Sequence, residues 1–484
     1  MRKTRTNSSG GELLITVRRD LSTSLHGQIE ASIRDAIRAG RLRQGTALPP
    51  TRLLAADLGV SRGVVVEAYQ QLVAEGYLNS QTGGYTEVAA TPTAIAGRRR
   101  SEAAPKPPPR KRDEVVPPRI SFGYGRADVS NFPRTAWLRS IRRVITEAPC
   151  DRFGYLTGRG MPELHEAIAG YLNRVRGTAA SAERIQICNG YGQGVGLIIQ
   201  TLAAAGAKRL AVEDPSSGDD AVPVARAAGM DVVGVPVGDD GIDVDALTAT
   251  DADAVVLTPS HQWPLGGVLS ADARAALLEW AERRSALVIE DDYDAEYRYD
   301  RAPIGAMQGL APDQVVYAGS TSKTLAPGLR IGWLVVPDRL VEPIAEAKVL
   351  ADRGSPAIDQ LAFADFLDRG EFDRHLRRMR PVYRRRRDAL LAALCDRLPD
   401  FEPTGISAGI HLVAWLPPDL DEESVVAAAA RRGVGISGVG ESRISPGRAG
   451  LVFGYSSLNE RAIGEGIGLL ADAVADVRSR ADGS

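Results

Sequence analysis

Asp291 and Lys323 each stand where an apolar run breaks off. Ala286 to Ile289 stops at Glu290-Asp291-Asp292, the pattern of a buried parallel strand whose carboxyl end delivers acidic groups into a crevice. A second run, Val315 to Ala318, leads into Gly319-Ser320-Thr321-Ser322-Lys323. An amine and a carboxylate delivered together suit a cofactor that takes an amine at one end and an anion at the other, and pyridoxal phosphate is such a cofactor. Its aldehyde forms a Schiff base with a lysine, its ring nitrogen stays protonated against an Asp, and its phosphate needs hydroxyls, backbone amides and a cation. Lys323 supplies the amine and Asp291 the carboxylate, while Ser320, Ser322 and Arg330, seven residues past the lysine, are phosphate ligands. Tyr293 is expected to reach the cofactor's phenolic oxygen. A lone Ser-x-Ser-Lys would be a solvated turn; the ordered set is what points to the cofactor.

The segments Ile289-Glu-Asp-Asp-Tyr-Asp-Ala-Glu-Tyr-Arg-Tyr299 and Ser320-Thr-Ser-Lys-Thr-Leu-Ala-Pro-Gly-Leu-Arg330 resemble the fold-type I aminotransferases, and more closely their MocR-type regulator branch. The resemblance implies that Lys323 is the aldimine lysine and Asp291 the partner of the pyridine nitrogen. It also implies a head-to-tail, domain-swapped homodimer with sites at the subunit interface.

The elements that must position these residues follow the same alternation. Strand-like runs alternate with helical segments such as Ala271 to Arg284, which indicates parallel βαβ units. Ile185-Gln-Ile-Cys-Asn-Gly-Tyr-Gly-Gln-Gly-Val195 reads as strand, glycine turn and helix start, so Tyr191 and Gly192 are candidates for the phosphate at a helix amino terminus. Val255 to Gly266 matches the family's Pro-Ser-His-Gln-aromatic-Pro loop, which puts His261 and Trp263 beside the cofactor. Three family positions differ here. Ser217 stands where a ring-stacking aromatic is usual, Asp219 and Val452 where arginines can hold an effector carboxylate, with Arg443 and Arg448 as nearby substitutes. His165 likewise replaces a common Arg. The expected fold is an α/β main domain of fold-type I aminotransferase type, with a mixed, mostly parallel sheet and helices on both faces. A small α+β carboxy-terminal subdomain, about 366–484, completes it, with strands at Ile410 to Trp415 and Leu451 to Tyr455. Gly370 to Leu394 reads as a long helix whose Arg384 to Arg387 form a solvated face.

Residues 15–90 have a different pattern. Ile29, Ile33, Ala36 and Ile37 recur at helical spacing from Leu25. Leu54, Ala55 and Leu58 mark a short helix closed by Gly59, and Ser61 can cap a second one that buries Val65, Ala68, Tyr69 and Leu72. Tyr77 to Asn79 and Tyr85 to Val88 flank Thr82-Gly83-Gly84 as a hairpin. Two helices joined through a glycine turn, followed by a wing, make a winged helix-turn-helix whose second helix enters a major groove. Leu48-Pro-Pro-Thr-Arg52, Leu58-Gly-Val-Ser-Arg62 and Glu75-Gly-Tyr-Leu78 resemble the GntR-type family, which implies DNA contacts from Arg52, Ser61, Arg62 and the wing glycine Gly83. Gly63-Val64 departs from the polar pair common there.

Composition agrees with a reader joined to a body. The net charge of −2 hides a basic first quarter, since residues 1–119 carry 19 Lys and Arg against 11 Asp and Glu, and the rest 40 against 50. Only the first part is expected to meet a polyanion. The chain divides into a disordered tail (1–14), the DNA-binding domain (15–90), a Pro/Arg-rich linker (91–119) and the cofactor-binding effector domain (120–484). No run of about 18 uncharged apolar residues occurs, MRKTRTNSSGGE has no apolar leader segment, and a cytoplasmic protein is expected. The three cysteines and five histidines show neither a disulfide framework nor metal-ligand spacing, and the cysteines read as small buried hydrophobes. The expected function is a transcriptional regulator that binds an operator in double-stranded DNA and senses pyridoxal phosphate, with or without an amine effector. Two alternatives stay open, a working aminotransferase carrying a DNA-binding head, and a regulator whose body holds no cofactor.

Overall fold

Two apolar patterns of different length build two units, residues 1–115 and 116–484. The computed structural model describes residues 6–8, 11–13, 15–80, 85–89, 117–155, 157–216, 218–299 and 304–481. Gly83, Ser217, the Asp219 side chain and most of the 91–119 segment lie outside what is described. Among the described residues no helix is long and apolar enough to cross a membrane.

In the first unit, α1 (Leu25–Arg38), α2 (Thr51–Leu58) and α3 (Arg62–Ala74) form the predicted helices. Ser24 starts α1 by accepting from the Gly27 amide, and Gly59 ends α2 at φ 66°, the left-handed conformation glycine adopts without a Cβ penalty. Ile29, Ile33, Val65, Ala68 and Leu72 are fully buried between the helices, so helical period alone sets this core. Ser61 holds the N-cap position of α3, yet its hydroxyl caps no amide, contrary to the expected capping role. Residues 1–14, expected to be disordered, carry a short antiparallel pair, β1 (Thr6–Ser8) and β2 (Gly11–Leu13). Backbone pairing, Thr6 opposite Leu13 and Ser8 opposite Gly11, gives this stretch an order that its polar composition does not announce. β3 (Leu78–Ser80) and β4 (Thr86–Val88) pair antiparallel as the wing, with Leu78 opposite Val88.

The second unit opens with β5 (Ile120–Ser121) and is built on an eight-stranded sheet. Its strands are β6 (Ile185–Cys188), β7 (Arg209–Asp214), β8 (Asp231–Gly238), β9 (Gly241–Ile242), β10 (Ala254–Leu257), β11 (Leu287–Asp292), β12 (Val315–Ser320) and β13 (Gly332–Val335). Their spatial order is β6-β13-β12-β11-β10-β7-β8-β9. β13 runs antiparallel to both neighbours and β9 antiparallel to β8, while the other pairs are parallel. Buried on both faces, the central strands begin with apolar runs, Ala254 to Leu257 in β10, Leu287 to Ile289 in β11 and Val315 to Val316 in β12, as parallel strands under helices must, and the acids of β11 come at its carboxyl end. Helices cover the two sides with separate cores, one around Val195, Ile198 and Ile289, the other around Trp280, Leu277 and Val288.

The carboxy-terminal part carries an antiparallel sheet of β14 (Glu402–Thr404), β15 (His411–Trp415), β18 (Gly450–Gly454) and β17 (Ser437–Gly438), while β16 (Val434–Gly435) pairs with β5. The helix Glu371–Arg397 spans the arginine-rich stretch. Its Arg384-to-Arg387 face is not wholly solvated, because Arg386 is buried with a 2.8 Å bond to Asp128. Only Cys188 of the three cysteines is buried; Cys150 and Cys395 are exposed.

Alternation along β11 separates its acids. Asp292 pairs with Arg176 at 2.7 Å and receives the Tyr317 hydroxyl at 2.7 Å, and Glu290 accepts from the Met307 and Gln308 amides. Asp291 points to the other side. Asp292 and Arg176 have side chains 2% and 1% exposed, so removing the cation strands a buried carboxylate. Arg176→Met is expected to cost about 3–5 kcal/mol in denaturant unfolding; a loss below about 1 kcal/mol would mean the pair carries no structural weight.

Candidate functional site

The carboxyl ends of β6, β12, β11, β10 and β7 lie on one edge of the sheet, where ligands of open α/β folds bind. A cleft of about 320 Å³ opens there, lined by Asp291, Lys323, Ser320, Ser322, Arg330, Tyr191, Gly192 and Tyr293 among others. Positions as far apart in sequence as Tyr191 and Arg330 thus meet, and β11 and β12 anchor the set as parallel neighbours with Asp291 opposite Ala318.

Lys323 donates to the Gly125 carbonyl at 2.7 Å. Burial pushes its pKa below the ordinary lysine value, against the pull of Asp291, Asp294 and Asp220. Burial, and then Asp292, push the Asp291 carboxyl well above the usual carboxylate range, while Lys323 opposes them. A cationic ring N–H beside Asp291 would relieve that burial cost. Tyr191 packs against the same acid, and burial with Asp291 raises its phenol pKa.

The helix Tyr191–Ala204 starts at Gly190, whose φ of 83° excludes most side chains. A Cβ on Gly190 would lie 2.8 Å from the Arg330 guanidinium, which itself donates to the Asn189 carbonyl. Gly332 abuts the same turn, its Cβ position being 2.8 Å from Gly190 backbone. The first amides of a helix have no intrahelical partner, so the cup formed by this helix start and Arg330 fits a phosphate. Amine, carboxylate and anion cup together fit pyridoxal phosphate.

Of the next two predicted residues, Tyr293 lines the cleft and His261 does not. The Tyr293 hydroxyl, expected at the cofactor, donates to the His261 carbonyl at 3.0 Å and lies 3.1 Å from His261 Nδ1. His261 does not line the cleft; it is buried behind Tyr293, with Nδ1 held 3.0 Å from Asp294. Trp263 does line the cleft, beside Tyr124 and His411. His261, Asp294 and His411 offer ligand atoms within 4.8 Å of one another, a grouping that sequence spacing hid because His411 comes from β15. Tyr124, Gly125, Asp220, Ile410 and His411 also line the cleft, and no local motif marks them as site residues. His165 is buried, its Nε2 3.1 Å from the Arg159 carbonyl, away from the cleft. Arg448 pairs with Glu402 and stacks on Trp415, Val452 packs against Trp263, and neither Arg443 nor Arg448 lines the cleft.

In the first unit Arg52 and Arg62 are exposed near the starts of α2 and α3, with Arg62 Nε 3.4 Å from Thr51 Oγ1. Ser61, just before α3, is exposed as well.

Comparison with known proteins agrees with both units. Residues 120–449 match the aminotransferase class I and II family, and residues 25–88 the gntR family of bacterial regulatory proteins. The probable rhizopine catabolism regulatory protein MocR of Rhizobium meliloti is 34% identical over 95% of this chain and 96% of its own. The HTH-type pyridoxine biosynthesis transcriptional regulator PdxR of Corynebacterium glutamicum is 32% identical over 93% and 96%. Among solved structures, the α-aminoadipate aminotransferase LysN of Thermus thermophilus, complexed with N-(5'-phosphopyridoxyl)-L-leucine, superposes with a TM-score of 0.67 at 26% identity, covering 74% of this chain and 93% of that one. The chain belongs to the MocR-type regulators, in which a gntR-family helix-turn-helix precedes an aminotransferase class I and II body.

Gly332→Ala forces the Gly190 turn to move. Overpacking of this kind is expected to lower stability by about 1–3 kcal/mol and to weaken pyridoxal phosphate uptake about tenfold or more. Unchanged uptake, measured by equilibrium titration, would show that the turn is not part of the phosphate cup.

Proposed function

We propose that this DNA-binding regulator responds to pyridoxal phosphate, alone or with a primary amine, captured in the sheet-edge cleft. The observation that carries the reading is the convergence of Lys323, Asp291, the Tyr191–Gly192 helix start and Arg330 in one cleft. When bound, pyridoxal phosphate supplies an aldehyde that condenses with amines. Lys323, whose burial favours the neutral amine, is the group that meets it. Asp291 holds a proton at the ring nitrogen, and Ser320, Ser322, Arg330 and the amides of Tyr191 and Gly192 take the phosphate. His261, held by Asp294, fixes the Tyr293 phenol at the cleft wall.

The head contacts operator DNA through Arg52, Ser61, Arg62 and Gly83. Arginine suits both phosphate and guanine, whereas the serine meets phosphate. Two copies joined head-to-tail would present two heads to a divided operator. Cofactor capture would favour one arrangement of the paired bodies, and can do so only through unequal affinity for the two arrangements.

A second reading, a working aminotransferase, draws on the retained Lys323, Asp291 and Arg330 and on 28% identity over 365 residues to the 2-aminoadipate transaminase of Thermus thermophilus. Its test is spectral: steady conversion of an amino acid to its keto acid favours it over the sensor.

Operator affinity and bending are expected to change on adding pyridoxal phosphate to the wild-type protein but not to Lys323→Ala; identical responses in both would refute cofactor control. Arg62→Ala is expected to weaken operator binding and to lower the salt slope by about 1 if it meets phosphate, or to cost about 1–3 kcal/mol at one base position if it reads a guanine. Unaltered binding would remove Arg62 from the interface.

A further inference from the structure

The cleft has a second wall, apart from the groups assigned to the amine, the ring nitrogen and the phosphate. Tyr124 and Trp263 pack with ring centroids 4.3 Å apart, and Trp263 meets His411 at the same 4.3 Å. Ile410 extends this surface, and all four line the cleft together with Lys323. Behind it Val413, Val439 and Val452 form a small core with Trp263, so the wall is backed by packed apolar side chains.

The charges are unevenly spread. Among the described residues the cations lining the cleft are Lys323 and Arg330. Arg330 lies at the Gly190 turn, in the anion cup, and Lys323 is the amine that an incoming amine must replace. Asp291 and Asp220 are the other charged groups of the lining. His411 adds no positive charge. Its Nε2 lies 3.1 Å from the Pro264 carbonyl and so carries the proton, its buried Nδ1 has no partner, and burial with His261 and Lys323 nearby holds its pKa well below the ordinary value. A ligand carboxylate against this wall would be desolvated beside rings and a neutral imidazole, with two acids close by.

Resting on the proposed cofactor role of the cleft, we propose that the effector is a primary amine with a flat apolar substituent and no carboxylate, its ring on the Tyr124–Trp263–His411 wall. The amine nitrogen takes the place of Lys323 Nζ on the cofactor's carbonyl carbon, one C–N double bond forming as the other breaks. Lys323 leaves as a free amine that accepts the proton released by the incoming nitrogen.

The test loads the full-length protein with pyridoxal phosphate and titrates it with 2-phenylethylamine, L-phenylalanine and methylamine while following the visible band. The first two share ring and amine and differ by the carboxylate; the third lacks the ring. Phenylethylamine is expected to half-saturate at about tenfold lower concentration, or better, than either of the others. Equal or tighter binding of phenylalanine, as a cation supplied by a second copy would produce, overturns the proposal, and so does a band that none of the amines alters. In Trp263→Ala the preference for phenylethylamine over methylamine is expected to fall about tenfold. An unchanged preference removes the wall from recognition, and should this variant fail to fold, the wild-type comparison still decides. A wild-type protein that never forms the visible band refutes the cofactor role instead.

Discussion

A carboxylate buried beside a half-buried amine is the constraint around which the body is arranged. Asp291 and Lys323 each lose hydration in the cleft, and each moderates the other's cost, the acid holding the amine's proton affinity up and the amine holding the acid's down. Neither would persist without the parallel pairing of β11 and β12, which puts a strand-end acid and a strand-end turn on the same sheet edge. The remaining acids of β11 are kept out of the cleft by alternation and partnered elsewhere, Asp292 by the Arg176 cation and Glu290 by hydrogen bonds from two backbone amides. A single residue of register slip would exchange these roles and put the wrong carboxylates in the site.

The reversed strand β13 does the second piece of positioning. By lying between β12 and β6 it brings the Lys323 turn and the Tyr191 helix start to one edge, and its Gly332 lets the Gly190 turn sit against it. Arg330, in the left-handed region at φ 53°, turns the chain back into that strand with its guanidinium at Gly190. The Tyr191 helix start with Arg330, the amine and the acid are therefore brought to one cleft by backbone geometry, which lowers the ordering cost of binding a ligand there.

How much of this was legible follows from locality. Lys323, Asp291, Arg330, Tyr191 and Gly192 sit on short segments whose apolar runs and glycine turns announce strand ends, and all line the cleft. The helices of the head were equally plain, because Ile29, Ile33, Val65 and Leu72 follow a period that one face of a helix must show. What stayed hidden depends on pairing across long separations. His411 arrives on β15, Gly125 from just after β5, and Asp220 from the helix after β7. His261 went behind the wall rather than into the cleft, since a buried Asp294, three residues beyond Asp291, claims its Nδ1. Arg386 was hidden for a similar reason: its partner Asp128 is 258 residues away.

The chain contains only six lysines, Lys3, Lys106, Lys111, Lys208, Lys323 and Lys348, and Lys348 is buried in an ion pair with Asp352. Borohydride reduction of the protein loaded with pyridoxal phosphate, followed by peptide mapping, therefore reads the site directly. A stoichiometric pyridoxyl label on Lys323 alone is the predicted result. A label spread over the other lysines, or none at all, would contradict the pairing of Lys323 with Asp291 as the cofactor-holding core.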